Sequence, residues 1–137
     1  MIIDATDTIL GRLATYAAKQ ALLGEDVAII NVEKAVVSGA KRDVIQKYRQ
    51  RYARGVPSKG PYIHRSADRF VRRTVRGMLP YKTVRGREAF KRVMCYKGAP
   101  KEFEGKDAVK LDATKAKLPN TKYVTVKTIT ENLGGHQ

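Results

Sequence analysis

A chain of 137 residues with 28 Lys or Arg, 13 Asp or Glu and 42% hydrophobic residues carries a formal net charge of +15. That is length for one compact domain, 1–137, and apolar content enough to fold it. A lone cysteine, Cys95, excludes a disulfide framework and any multi-thiolate metal site.

No apolar run approaches the roughly 18 residues of a membrane span, and the start MIIDATDT lacks the pattern of a signal peptide. A reducing, intracellular setting is expected. In chain order, Ile2 and Ile3 predict a short strand and residues 4–8 a turn. Leu10, Leu13, Ala14, Ala17 and Ala21 recur at helical spacing, predicting a helix to Leu23 with Gly24 as its stop. The β-branched run 27–32 predicts a buried strand, so the first 30 residues or so read as a parallel βαβ unit.

A helix is expected from Lys41 to Arg54, with Val44, Ile45, Tyr48 and Tyr52 as a narrow apolar stripe. Residues 53–65 hold Gly55, Pro57, Gly60 and Pro61 and predict a loop, one that orders on meeting a partner. Ser66 suits the N-cap of a helix reaching Leu79 before Pro80. A second loop, 80–87, leads to a short helix with Ala89, Phe90 and Val93, and residues 94–96 begin a strand. Further on, 98–107 reads as a loop, 108–112 as a short strand or turn, and 123–126 as a strand. Thr128 and Glu131 form a capping-box pattern for a last helical turn ending at Gly134 and Gly135.

The charge is concentrated in the middle of the chain. Residues 1–40 hold three bases and five acids, and residues 98–137 hold seven and five. Residues 41–97 hold 18 bases against three acids, and 12 of those bases are arginines. A planar guanidinium matches phosphate oxygens and stacks on bases, whereas lysine is a hydrated point charge. The arginine bias therefore points to a phosphate-rich partner. On the helix beginning at Ser66, Arg69, Arg72 and Arg76 fall within a sector of about 60°, a ridge roughly 10 Å long. Ala67, Phe70, Val71, Val75 and Met78 lie on the other side, Arg65 and Arg73 flank the ridge, and Asp68 is the one acid able to offset it.

Gly55, Gly60, Gly77 and Gly86 let backbone approach a strand, with Arg54, Lys59, Lys82, Arg85 and Arg87 beside them. Tyr62, His64 and Tyr81 either stack on unpaired bases or, for the tyrosines, pack on the core. Tyr48 and Tyr52 are expected to pack. At the start of the first basic helix, Lys41 and Arg42 follow Ser38-Gly39-Ala40, where one phosphate can sit.

Catalysis has little support. The histidines, His64 and His136, are 72 positions apart and give no metal spacing, while Cys95 sits in an apolar setting that suits an inert thiol. No phosphate-binding glycine motif of the P-loop or dinucleotide type occurs. A DNA-binding architectural protein and an RNA-processing enzyme using His64 or Cys95 are the rival readings.

The segments VRGMLPYKTVRGREAFKRVMCYKGAP (75–100) and IIDATDTILGRLATYAAKQALLGEDVAIINVEKAVVSG (2–39) resemble the large-subunit ribosomal protein thirteen family. The GEDVAIINVE link and the GPYIHRSADRFVRRTVRG approach are similar to its archaeal branch. The two segments cover 64 of the 137 residues. The resemblance implies an α/β fold: a single compact three-layer domain with a small mixed β-sheet flanked by helices, plus basic loops and extensions. It also implies a structural, non-enzymatic protein of the cytoplasmic ribosome. Such a protein binds large-subunit ribosomal RNA, touches neighbouring ribosomal proteins and takes no cofactor or small-molecule substrate.

By motif, Arg76, Lys82, Arg85, Gly86 and Arg87 would lie in or beside an RNA-facing loop, with Met78, Leu79, Phe90 and Val93 as core support. Arg12 is left as either an RNA contact or an ion pair with Asp4 or Asp7. The expected RNA-binding set is thus Lys41, Arg42, Arg49, Arg54, Lys59, His64 and Arg65, then Arg69, Arg72, Arg73, Arg76, Lys82, Arg85, Gly86 and Arg87.

Overall fold

The computed structural model describes residues 1–135; His136 therefore lies outside the described residues. Three short strands open the fold's parallel sheet. β1 (Ile2–Asp4) pairs with β2 (Val27–Ile30), Ile3 opposite Ile29, and the helix between them is α1 (Leu10–Leu22). β4 (Val93–Cys95) adds beside β2, with Val27 opposite Val93. From the tail, β5 (Val109–Lys110) adds beside β1, which gives the order β4-β2-β1-β5, all parallel. A separate antiparallel pair joins β3 (Val36–Ser38) to β6 (Tyr123–Thr125), Val37 opposite Val124. The expected α/β fold is present, its parallel and antiparallel pairings divided between two small sheets.

The predicted βαβ unit forms as read. Leu10, Leu13, Ala14, Ala17, Ala18 and Ala21 are buried along one face of α1, and small alanines let it lie close to its neighbours. Gly24 ends it with φ +104°, a value that an L side chain rarely adopts. The second strand stops two residues earlier than expected. Asn31 turns left-handed at φ +54°, and its side chain donates to Asp4 Oδ1 at 3.1 Å. Val32 still reaches the core, from a 3-10 turn.

Between β3 and β4 run three helices: α2 (Lys41–Tyr52), α3 (Ala67–Gly77) and α4 (Val84–Lys91). α3 packs on α1 and β4 and buries Ala67, Phe70, Val71 and Val75. α2 meets the core along one edge, as its polar sequence predicts: Val44 is buried and Tyr48 sits edge-on to Phe70, ring centroids 5.0 Å apart.

Three expectations in this region need correction. Residues 84–87 are helix rather than loop, because Thr83 caps α4 by accepting from the Gly86 N–H at 3.2 Å. Val93 belongs to β4, not to that helix. Met78, expected in the core, follows the end of α3 and is 42% exposed, its sulfur 3.1 Å from Thr15 Oγ1.

The tail returns to the start of the chain. Ile9 N–H donates to Ala113 O at 2.9 Å, Lys115 N–H to Asp7 O at 2.8 Å, and Lys115 Nζ pairs with Asp7 at 3.0 Å. α5 (Val126–Asn132) begins earlier than the capping pattern predicts, since Thr125, not Thr128, is the cap and accepts from the Thr128 N–H at 3.3 Å. The end is as expected, at Gly134 with φ +82°.

Candidate nucleic-acid interface

α3 is strongly two-faced, and its polar side sits over a cleft. Arg69, Arg72, Arg73 and Arg76 line that cleft with Pro61, Tyr62 and His64 from the preceding loop and Phe90 from α4, around a volume of about 470 Å³. The ridge read from periodicity is therefore one wall of a concave site. An adjoining hollow of about 290 Å³ shares Arg69, Arg73 and His64 and adds Arg51, Tyr48 and Ile63. Arg69, Arg73 and Arg76 are exposed, while Arg72 is half-buried with its guanidinium 4.6 Å from the Phe90 ring centroid.

Charge balance in the cleft is one-sided. The ion pairs among the described residues are Lys91–Glu88, Lys115–Asp7 and Lys117–Asp112, and none involves an α3 arginine. Asp68, four residues before Arg72, is engaged elsewhere: it accepts from Ser66 Oγ and from the Arg69 N–H. Burial works to raise its pKa, but these hydrogen bonds outweigh it and hold the carboxyl below its ordinary value. The exposed guanidinium groups of Arg69, Arg73 and Arg76, and the half-buried one of Arg72, thus line the cleft with no ion-paired carboxylate among the described residues.

The loop over the cleft is closed by its own hydrogen bonds. Gly60 N–H donates to Val56 O at 2.9 Å, and the Tyr62 hydroxyl donates to Ser58 O at 2.7 Å. A Cβ on Gly55 would lie 1.8 Å from the Gly60 carbonyl oxygen, so this glycine serves the loop's closure rather than a partner's approach. Gly86 is similar: it is buried, and its Cβ would fall 2.0 Å from the Pro80 carbonyl oxygen. Its close neighbour in the fold is thus the chain itself. Gly77 has open space around it.

The remaining predicted residues do not line the cleft. Lys41, Arg42 and Arg49 are exposed on α2, and Arg49 also donates to Asn132 at 3.3 Å. Arg54 and Lys59 are exposed in the loop, Lys82 precedes α4, and Arg85 and Arg87 are exposed on its first turn. Tyr52 is exposed, under the Arg65 guanidinium at 4.6 Å, rather than packed. Tyr81 lies under Arg76 at 5.2 Å. Arg12 is exposed, and Asp4 and Asp7 are held by other partners, Thr6 with Asn31 and Lys115 respectively.

Arg65 belongs to a second basic hollow that the sequence did not suggest. There it meets Lys34, Lys97 and Lys127, with Glu33 engaged by the Gly98 N–H at 3.1 Å. These lysines are scattered over more than 90 positions, so no window of sequence gathers them. Arg92, by contrast, is internal: it donates to Ala21 O at 3.3 Å at the end of α1.

Cys95 is buried, and burial pushes its thiol up to about 12, which leaves it protonated and unreactive near neutrality. Among the described residues no group of three or more His, Cys, Asp or Glu could hold a metal ion, and no helix is long and apolar enough to cross a membrane.

The chain is similar to known proteins over most of its length. A family model described as Ribosomal protein L13 matches residues 1–102. Large ribosomal subunit protein uL13 of Archaeoglobus fulgidus is 44% identical over 135 residues, 97% of this chain and 86% of its own length. The protein of that name from Natronomonas pharaonis is 44% identical over 99% of this chain and 92% of its own. That of Methanosarcina barkeri is 42% identical over 97% and 96%. The match takes in α1, the arginine-bearing face of α3 and the turn into α4, and on it the chain belongs to the ribosomal protein L13 family.

Proposed function

We propose that this chain is a structural constituent of the large ribosomal subunit, in the cytoplasm, that binds ribosomal RNA without catalysing a reaction. In this reading residues 1–137 fold as one domain. Residues 41–97 form its RNA-facing part, and other surfaces meet neighbouring ribosomal proteins. The observation that carries it is the α3 cleft, lined by four arginines that pair with no acid among the described residues. Such a surface gains affinity from phosphate neutralisation, which positions a protein, whereas selectivity must come from RNA shape and unpaired bases.

A competition assay tests the reading. At roughly 150–200 mM salt, where non-specific binding is weakened, large-subunit RNA should displace labelled RNA far better than duplex DNA or an unrelated transcript. Equal competition by all three would favour an architectural protein indifferent to its nucleic acid and would sink the ribosomal assignment.

A further inference from the structure

The α3 cleft has a shape and a chemistry more particular than a phosphate ridge requires. Its volume of about 470 Å³ falls in the range of sites for single small ligands and is too small for a helix of RNA. Its lining includes three rings, Tyr62, His64 and Phe90. Tyr62 is 68% exposed, and the bond from its hydroxyl to Ser58 O tethers the far end of the ring. Arg72 lies against Phe90, and its Nε is buried without a hydrogen-bond partner. A buried donor of that kind is costly unless something supplies an acceptor.

Rings and a guanidinium plane are the surfaces on which unstacked RNA bases settle. The polar groups also discriminate among bases. The lining offers many guanidinium N–H donors and holds no Asp or Glu to accept from a base amino group. Adenine and cytosine each present an exocyclic amino group beside their acceptor. Guanine carries its amino group on the opposite edge, and its N7 edge presents two adjacent acceptors, O6 and N7, which a guanidinium can engage together. We propose that the cleft receives one extruded guanine of a single-stranded RNA segment, its base against the Tyr62, His64 and Phe90 rings and its edge toward Arg72. Arg69, Arg73 and Arg76 then hold the flanking phosphates. This inference rests on the RNA-binding reading above and adds to it a base-specific subsite.

The probes are labelled uridine pentamers with guanine, adenine or an abasic site at the centre, bound to the full chain at low salt and followed by fluorescence anisotropy. The guanine pentamer should bind about tenfold tighter than the abasic one, the scale of one stacked base, and several-fold tighter than the adenine one. Joint Tyr62→Leu and His64→Ala substitution should bring the guanine pentamer to within about twofold of the abasic one, with circular dichroism unchanged. Tyr62→Phe, which keeps the ring, should retain the preference. Equal binding of the three pentamers, or a preference that survives the double substitution, overturns the subsite. So does failure to bind any pentamer while large-subunit RNA still binds. Failure to bind large-subunit RNA overturns the proposed function as well.

Discussion

Asp4 shows how much one side chain organises at the start of this chain. It accepts from the Thr6 N–H at 3.0 Å, the Thr6 hydroxyl at 2.7 Å and Asn31 Nδ2 at 3.1 Å, joining the end of β1 to the left-handed turn after β2. Burial works to raise its pKa, yet these bonds prevail and the carboxyl titrates below its ordinary value, as Asp68 does. A carboxylate depressed in the folded state stabilises it above the unfolded pKa, about 3.9, and loses that contribution as pH falls through the folded value. The stability gap between wild type and Asp4→Asn should therefore narrow on acidification from about pH 6 to pH 3, as urea titrations at each pH would show. Cys95 moves the other way. With its thiol near 12 against 9.0 unperturbed, about a thousandfold less thiolate is present at a given neutral pH. Alkylation of the native protein should be slower than that of the urea-unfolded chain by at least that order, and comparable rates would contradict its burial.

At the level of elements, α4 depends on a contact that only glycine permits. Gly86→Ala would drive a methyl group into the Pro80 carbonyl, 2.0 Å away, and should cost about 1–3 kcal/mol or more, measured by denaturant unfolding. Thr83→Ala removes the cap from the same helix and should cost about 1 kcal/mol. The long periodic helices and the first βαβ unit could be read from the chain because the spacing of alanines, leucines and valines states which face is buried. The start of α4 could not: a stretch rich in glycine and arginine looks like a turn until the packing of Pro80 against Gly86 is seen. β3 escaped for another reason. It has three residues, and its partner β6 lies 87 positions onward from Val37 to Val124, so neither length nor local pattern announces it. Met78 was misplaced because helical periodicity was carried one residue past the end of α3.

For the whole molecule, the net charge of +15 is carried by residues 41–97 and displayed on the helices and loops between β3 and β4. The arginine face of α3 was legible as periodicity. Its concavity was not, because Tyr62 and His64 are placed by a loop that closes on itself and Phe90 by a separate helix. The most direct test of the central claim is the salt dependence of binding to large-subunit RNA. Wild type is compared with the triple substitution Arg69→Gln, Arg73→Gln and Arg76→Gln, which spares the packed Arg72. Each phosphate contact contributes about 0.7 to 0.9 to the slope of log K against log salt. The triple variant should stay folded, bind more weakly and lose about 2 to 3 from the magnitude of that slope. An unchanged slope and affinity would mean that the α3 arginines do not face RNA.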